Sequence, residues 1–202
     1  FYSKADGYIF VSHSTKNDFA EIYPHLFQSR PSRVIYHGKN FEPSRNSLKK
    51  NSNQFLFVGS REGYKNFETA HKAFGKLAVE NESVRLVVAG SAPTQKELSS
   101  CRAYSDRIQW VTLPNPQELR DLYANSLALL YVSKYEGFDM PVLEAMSQGC
   151  IPIAGNHSSI PEVLGNGGFI IDNTTTWDIY QAMRNCHANA SLQKELTKKG
   201  FS

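Results

Sequence analysis

Leu127-Ala128-Leu129-Leu130-Tyr131-Val132, followed by Ser133-Lys134-Tyr135-Glu136-Gly137-Phe138-Asp139-Met140-Pro141-Val142-Leu143-Glu144-Ala145-Met146, is the stretch on which the fold turns. The first run is apolar without alternation, so both of its faces must be covered, as in a strand of a parallel sheet flanked by helices. Pro141 reads as the opening of a helix, where its missing N–H leaves no bond unmade. A buried strand, a glycine-bearing turn and a helix make one half of a βαβ unit.

Working outward, the same rhythm recurs. Strands are expected at residues 55–58, 85–89, 108–111, 127–132, 151–154 and 169–171. Helical patterns fall at 67–80, 94–103, 116–125, 141–148 and 160–164, and two more close the chain at 175–187 and 191–199. Six continuous apolar strands separated by helices predict an α/β, Rossmann-like doubly wound parallel sheet. Upstream, residues 8–11 and 34–36 read as short strands, with Ser14 capping a helix that runs toward Leu26. Residues 37–53 are rich in Lys, Asn, Ser and Pro and lack periodicity, which marks a linker. The reading therefore divides the chain into residues 1–53 and a domain at 54–202.

Ligands of such sheets bind beyond the carboxyl ends of the strands, so two loops matter most. The loop after the first strand of the domain holds Gly59, Arg61, Gly63, Lys65 and Asn66. The glycines permit a sharp turn close to a ligand, the two cations suit a diphosphate, and Asn66 can cap the next helix. The spacing is neither G-x-G-x-x-G nor a Walker A loop, and a solvated surface loop would carry the same residue types. The loop after Val132 sets Glu136 before a turn and Glu144 one turn into a helix, both expected to face one crevice. Free N–H groups around Val142 and Leu143 would make that helix start an anion site, and paired carboxylates suit vicinal hydroxyls of a sugar or ribose. The plainer alternative is that both acids complement the helix dipole. Glu162, near the start of another helix, reads most simply as a capping residue.

Composition narrows the classes. With 41% apolar and 20% charged residues the chain has an ordinary globular make-up. A net charge of +3 is too small to argue for nucleic acid, and no basic stripe with stacking aromatics accompanies it. It is compatible with an anionic small ligand or with peripheral association at an anionic membrane surface. Cys101, Cys150 and Cys186 are sparse and odd in number, which favours free thiols in a reducing, cytoplasmic setting over a disulfide framework. No D-x-D motif or metal-spaced cluster is present, so no metal and no cofactor is expected. The first residue is Phe1 rather than Met, which suggests a piece of a longer protein.

Glu136-Gly137-Phe138, Pro141 and Glu144-Ala145-Met146 together resemble the E-x7-E motif of family-four glycosyltransferases. The match continues in order through residues 148–154 and through Ser159-Ile160-Pro161-Glu162-Val163, with residues 57–65 similar to that family's phosphate-binding turn. Upstream, Val11-Ser12 with Thr15-Lys16, then residues 34–38, resemble its interdomain region. The resemblance implies the C-terminal, donor-binding domain of a two-domain GT-B enzyme, with residues 1–53 as the tail of a missing N-terminal domain. It implies a retaining, metal-independent hexosyltransferase of glycan or polysaccharide biosynthesis. The donor would be a UDP- or GDP-hexose and the acceptor a saccharide or lipid-linked saccharide. It further implies catalytic roles for Glu136, Arg61 and Lys65. The diphosphate would lie on Gly59, Arg61, Lys65 and the loop of Gly137, Phe138, Asp139, Met140, Pro141 and Val142. Glu136 would meet the donor sugar, Glu144 the ribose, and Thr112 and Leu113 the base. Asp139 and Thr112 depart from the pattern, each standing where the family often has glycine. On this basis the isolated chain is expected to bind donor without efficient transfer. An epimerase-like enzyme and a non-catalytic nucleotide-binding module remain alternatives.

Overall fold

The computed structural model describes residues 2–38, 41 and 51–201, with the backbone alone at 51 and 52. Strands β3 (Asn51–Val58), β4 (Arg85–Gly90), β5 (Ile108–Thr112), β6 (Ser126–Tyr131), β7 (Ile151–Gly155) and β8 (Phe169–Ile171) form one sheet. Its order is β5-β4-β3-β6-β7-β8 and every pairing is parallel. This is a doubly wound α/β sheet whose order reverses between β3 and β6, the switch point beyond which such folds open a crevice.

The continuous apolar strands are explained by burial on both faces. Side chains alternate along a strand, and here the alternate sets feed two separate cores. Phe55, Phe57, Leu86, Val88, Ala128 and Leu130 pack with helices α3 (Phe67–Glu80) and α8 (Thr176–Ala188) through Phe74, Ile179 and Met183. Leu56, Val87, Ala89, Leu129 and Tyr131 pack on the other side with α5 (Pro116–Asn125), α6 (Met140–Ser147) and α7 (Ile160–Leu164). Helix α9 (Ala190–Gly200) closes the described chain.

A two-stranded parallel sheet precedes this domain, made of β1 (Tyr8–Phe10) and β2 (Ser32–Val34), with helices α1 (His13–Ile22) and α2 (Pro24–Gln28) between them. Three expectations are corrected here. Ser12, not Ser14, caps α1, its Oγ accepting from the Thr15 N–H at 3.0 Å. The single helix toward Leu26 is two, because Pro24 offers no N–H and forces Tyr23 out of the helical region to φ −128°, ψ 56°. The strand expected at 34–36 is Ser32–Val34. Its register is set by β1. Ile35 keeps one bond to it, its N–H donating to the Phe10 carbonyl at 2.8 Å, but the side chains of Ile35 and Tyr36 stand exposed beyond the strand.

Two further boundaries move. The expected helix at 94–103 is α4 (Gln95–Ser100), closed by a 3-10 segment at Arg102–Arg107, and Thr94 with Glu97 forms a complete capping box. β3 begins at Asn51, inside the stretch read as a linker, and most of that stretch lies outside the described residues. The three cysteines are free and buried. Among the described residues no helix is long and apolar enough to cross a membrane.

Candidate functional site

The two loops singled out by sequence leave β3 and β6, the strands on either side of the switch point, and they meet there. Lys65 Nζ lies 2.6 Å from Glu136 Oε1, with side chains only 14% and 11% exposed. The ammonium also sits over the rings of Tyr131 and Tyr64, at 5.3 and 5.4 Å. The turn leading to Lys65 needs its glycines, because Gly59 and Gly63 adopt φ 107° and 47°. A side chain at Gly90, beside the turn, would run into the carbonyl of Gly59 at 2.5 Å. Asn66 occupies the cap position of α3 but makes no side-chain cap bond. At φ 58° it accepts instead from the Thr69 hydroxyl at 2.6 Å.

Arg61 is placed apart from Lys65. Its guanidinium binds Glu97 at 2.5 and 3.3 Å and the carbonyls of Ser91 and Ala92, each at 2.9 Å, with the ring of Trp110 at 5.3 Å. It ties the β3 loop to the end of β4. Burial raises the Glu97 carboxyl, but its bonds to Arg61 and Thr94 outweigh that and hold it below the usual carboxylate range.

In the second loop, Val142 and Leu143 do not offer free N–H groups. Both donate to the Asp139 carbonyl, at 3.0 and 3.3 Å. The backbone amides without a partner among the described residues lie just upstream, at Gly137, Phe138, Asp139 and Met140. The carbonyls that precede two of these amides are well held. The Glu136 carbonyl accepts from the hydroxyls of Ser158 and Ser159. The Gly137 carbonyl accepts from Ser12 at 2.9 Å and Thr15 at 3.0 Å. Ser158 is held at φ 56°, a left-handed conformation costly for a serine.

Asp139 does not face outward. It is fully buried, its Oδ2 accepts from Ser159 at 2.9 Å, and its Oδ1 has no partner among the described residues. Burial is the main cause that pushes its carboxyl up to about 6, with the Glu136 charge adding to it. Ser159, Tyr131 and Lys65 oppose the rise. The Tyr131 phenol is raised in turn, by burial and then by the two carboxylates.

Glu144 and Glu136 meet different partners. Glu144 is 7% exposed and accepts from Tyr123 of α5 at 3.1 Å. Thr112 ends β5, and Leu113 follows at φ 48°, the residue 78% exposed and its N–H on the Gly90 carbonyl. An apolar side chain held open at the crevice end of a strand could pack against a flat ring. Among the described residues no three His, Cys, Asp or Glu side chains are grouped to hold a metal ion.

Sequence reasoning missed the role of Glu162. It lies in the first turn of α7, yet its carboxylate accepts from the N–H groups of His13 and Ser14 at the start of α1 and from the Tyr36 hydroxyl at 2.6 Å. Burial opposes its charge, but these bonds outweigh burial and hold the carboxyl below its ordinary range. A pairing across 149 residues leaves no local signature. Glu162→Ala is expected to speed hydrogen exchange at His13 and Ser14 about tenfold or more, since charge-assisted bonds of this kind contribute roughly 1.5–3 kcal/mol. Exchange in β3 and β4 should not change. Unaltered exchange at both α1 amides would return Glu162 to a local capping role.

The fold accords with the comparisons. The family model described as glycosyl transferases group 1 matches residues 38–202. The O-antigen chain mannosyltransferase B of Escherichia coli is 29% identical over 131 residues, which are 58% of this chain and 32% of that protein. The O-antigen chain mannosyltransferase RfbU of Salmonella typhimurium is 27% identical over 173 residues, 83% of this chain and 47% of that protein. The structure of sucrose-phosphate synthase from Thermosynechococcus elongatus superposes with a TM-score of 0.81 at 20% identity, covering 99% of this chain and 53% of that one. The chain thus spans a third to a half of the length of these curated relatives.

Proposed function

The chain belongs to the group 1 glycosyl transferases, and from that premise we propose that it holds a nucleoside-diphosphate hexose for retaining, metal-independent transfer to a saccharide or lipid-linked acceptor. In this reading residues 54–202 are the donor-binding domain and residues 1–53 belong to the other half of a two-domain enzyme. The observation that carries it is a half-buried cation, Lys65, paired to Glu136 at the switch point of the sheet, with the next amides along that loop, those of Gly137, Phe138, Asp139 and Met140, lacking a partner among the described residues. Amides at a helix start and a nearby ammonium form a fixed positive field, the kind that stabilises a departing diphosphate.

The residues take roles by position. Lys65 turns from Glu136 to the diphosphate, and Glu136, once released, accepts from a hydroxyl of the donor sugar. Arg61 adds charge from behind the Gly59 turn while it stays on Glu97. Thr112 and Leu113 flank the base, and Glu144 takes the ribose hydroxyls in exchange for Tyr123. Mannose is the first sugar to test, since both curated relatives are named as mannosyltransferases. Titration calorimetry with UDP, GDP and their nucleosides tests the reading. One diphosphate should bind at least about tenfold tighter than its nucleoside, as one charge-assisted phosphate contact predicts. Equal affinities would remove the donor site from this crevice.

A further inference from the structure

We infer that Ser12 and Thr15, on the segment upstream of the sheet, are positioning residues that aim the Phe138 amide. The inference rests on the donor-binding reading above. In a trans peptide the C=O and the following N–H point in opposite directions, and the chain has no cis peptide bond among its described residues. Whatever grips the Gly137 carbonyl therefore sets the direction of the Phe138 N–H, and whatever grips the Glu136 carbonyl sets that of the Gly137 N–H.

Both grips are present, and they come from different segments of the chain. Ser158 and Ser159, after β7, hold the Glu136 carbonyl. Ser12 and Thr15, at the start of α1, hold the Gly137 carbonyl at 2.9 and 3.0 Å. Their hydroxyl oxygens lie 2.9 Å apart, so one can also donate to the other. Two protons then serve three contacts, and the two hydroxyls cannot both donate to each other. At least one proton stays on the carbonyl, and loss of a single hydroxyl leaves a grip in place. The two amides so aimed have no protein partner among the described residues. A glycine at 137 would otherwise let this peptide rotate freely. Fixing it beforehand spares a ligand the cost of ordering the loop.

The arrangement makes the phosphate site depend on α1. Glu162 grips the start of α1 through the His13 and Ser14 N–H groups, and Tyr135 donates to Asp18 at 2.7 Å, so the contacts that dock α1 also seat the two hydroxyls that hold the peptide. Donor affinity is in this way coupled to the seating of the upstream segment.

The test compares the chain with Ser12→Gly/Thr15→Val and with Ser12→Thr/Thr15→Ser. Glycine is chosen because it costs an N-cap position only a few tenths of a kcal/mol, so α1 survives, and far-UV circular dichroism verifies it. Affinity is measured for UDP, GDP and the nucleosides, and amide shifts of Gly137 and Phe138 are followed in the unaltered chain. The hydroxyl-free pair should bind the preferred diphosphate about tenfold more weakly, with nucleoside affinity unchanged. The hydroxyl-keeping pair should stay within about twofold, and both amides should shift on adding diphosphate. If the hydroxyl-free pair binds as tightly as the unaltered chain, or the two amides do not shift while diphosphate binds, the positioning role is wrong and the donor site stands. If the unaltered chain gains nothing from the phosphates, the donor reading fails and this inference falls with it. Should the hydroxyl-free pair not fold, Thr15→Val alone, expected to lose about two- to threefold, and the amide shifts decide.

Discussion

Lys65→Ala should weaken nucleoside diphosphate binding by roughly 10- to 150-fold, as the loss of one charge-assisted phosphate contact of about 1.5–3 kcal/mol predicts. Nucleoside binding should stay within about twofold. Two effects add in the same direction. The contact to phosphate disappears, and Glu136, 11% exposed, loses the cation that compensates it. An unpaired carboxylate beside a diphosphate repels it, and at low exposure little water screens the charge. The double change Lys65→Ala/Glu136→Gln removes the repulsion and should recover part of the loss. The recovered fraction measures the carboxylate's share, and the remainder measures the lost contact. Calorimetry with one diphosphate and its nucleoside reads all of these. Equal losses for both ligands would take Lys65 out of the phosphate site, and no recovery in the double variant would leave the whole effect to the contact.

The Lys65–Glu136 pair also marks how far sequence could reach. The sheet was legible because burial on both faces demands unbroken apolar runs, and all six runs became strands of one parallel sheet. The two loops were legible because a doubly wound sheet dictates where ligands bind. Which side chains would meet inside the crevice was not. Arg61 and Lys65 sit in one short loop with the same charge, and nothing local says that one will turn to Glu136 and the other to Glu97. Asp139 was read as part of the diphosphate loop, standing where the family often has glycine, and the structure buries it on Ser159. The decisive partner lies 20 residues on, in a turn whose conformation depends on a left-handed Ser158. Helix limits failed where a single bond decides them. Ser12 and Ser14 are equally good caps by type, and only the seating of α1 against Gly137 and Glu162 selects Ser12.

Asp139→Asn should abolish a loss of folding stability that the unaltered chain suffers as pH rises from about 4 to about 6. The carboxyl's folded pKa is raised, from 3.8 to about 6. Between those values the folded state holds a proton that the unfolded state has released, so stability falls with rising pH and is flat above. A displacement of that size corresponds to about 3 kcal/mol, to order of magnitude. The cause is local. The group is fully buried, Oδ1 lacks a partner among the described residues, and Glu136 adds a like charge, while Ser159, Tyr131 and Lys65 offset only part of the cost. Asparagine has the same shape and no charge to release. It also brings an N–H that needs an acceptor, which shifts stability by an amount independent of pH. The measurement is therefore a difference of differences, with urea unfolding of both chains at pH 4 and pH 8. Relative to the unaltered chain, the asparagine variant should gain about 2–3 kcal/mol between the two pH values. A stability difference that stays constant across the range would mean that Asp139 keeps an ordinary carboxylate pKa, and that the cluster of Tyr131, Glu136 and Lys65 neutralises its burial in full.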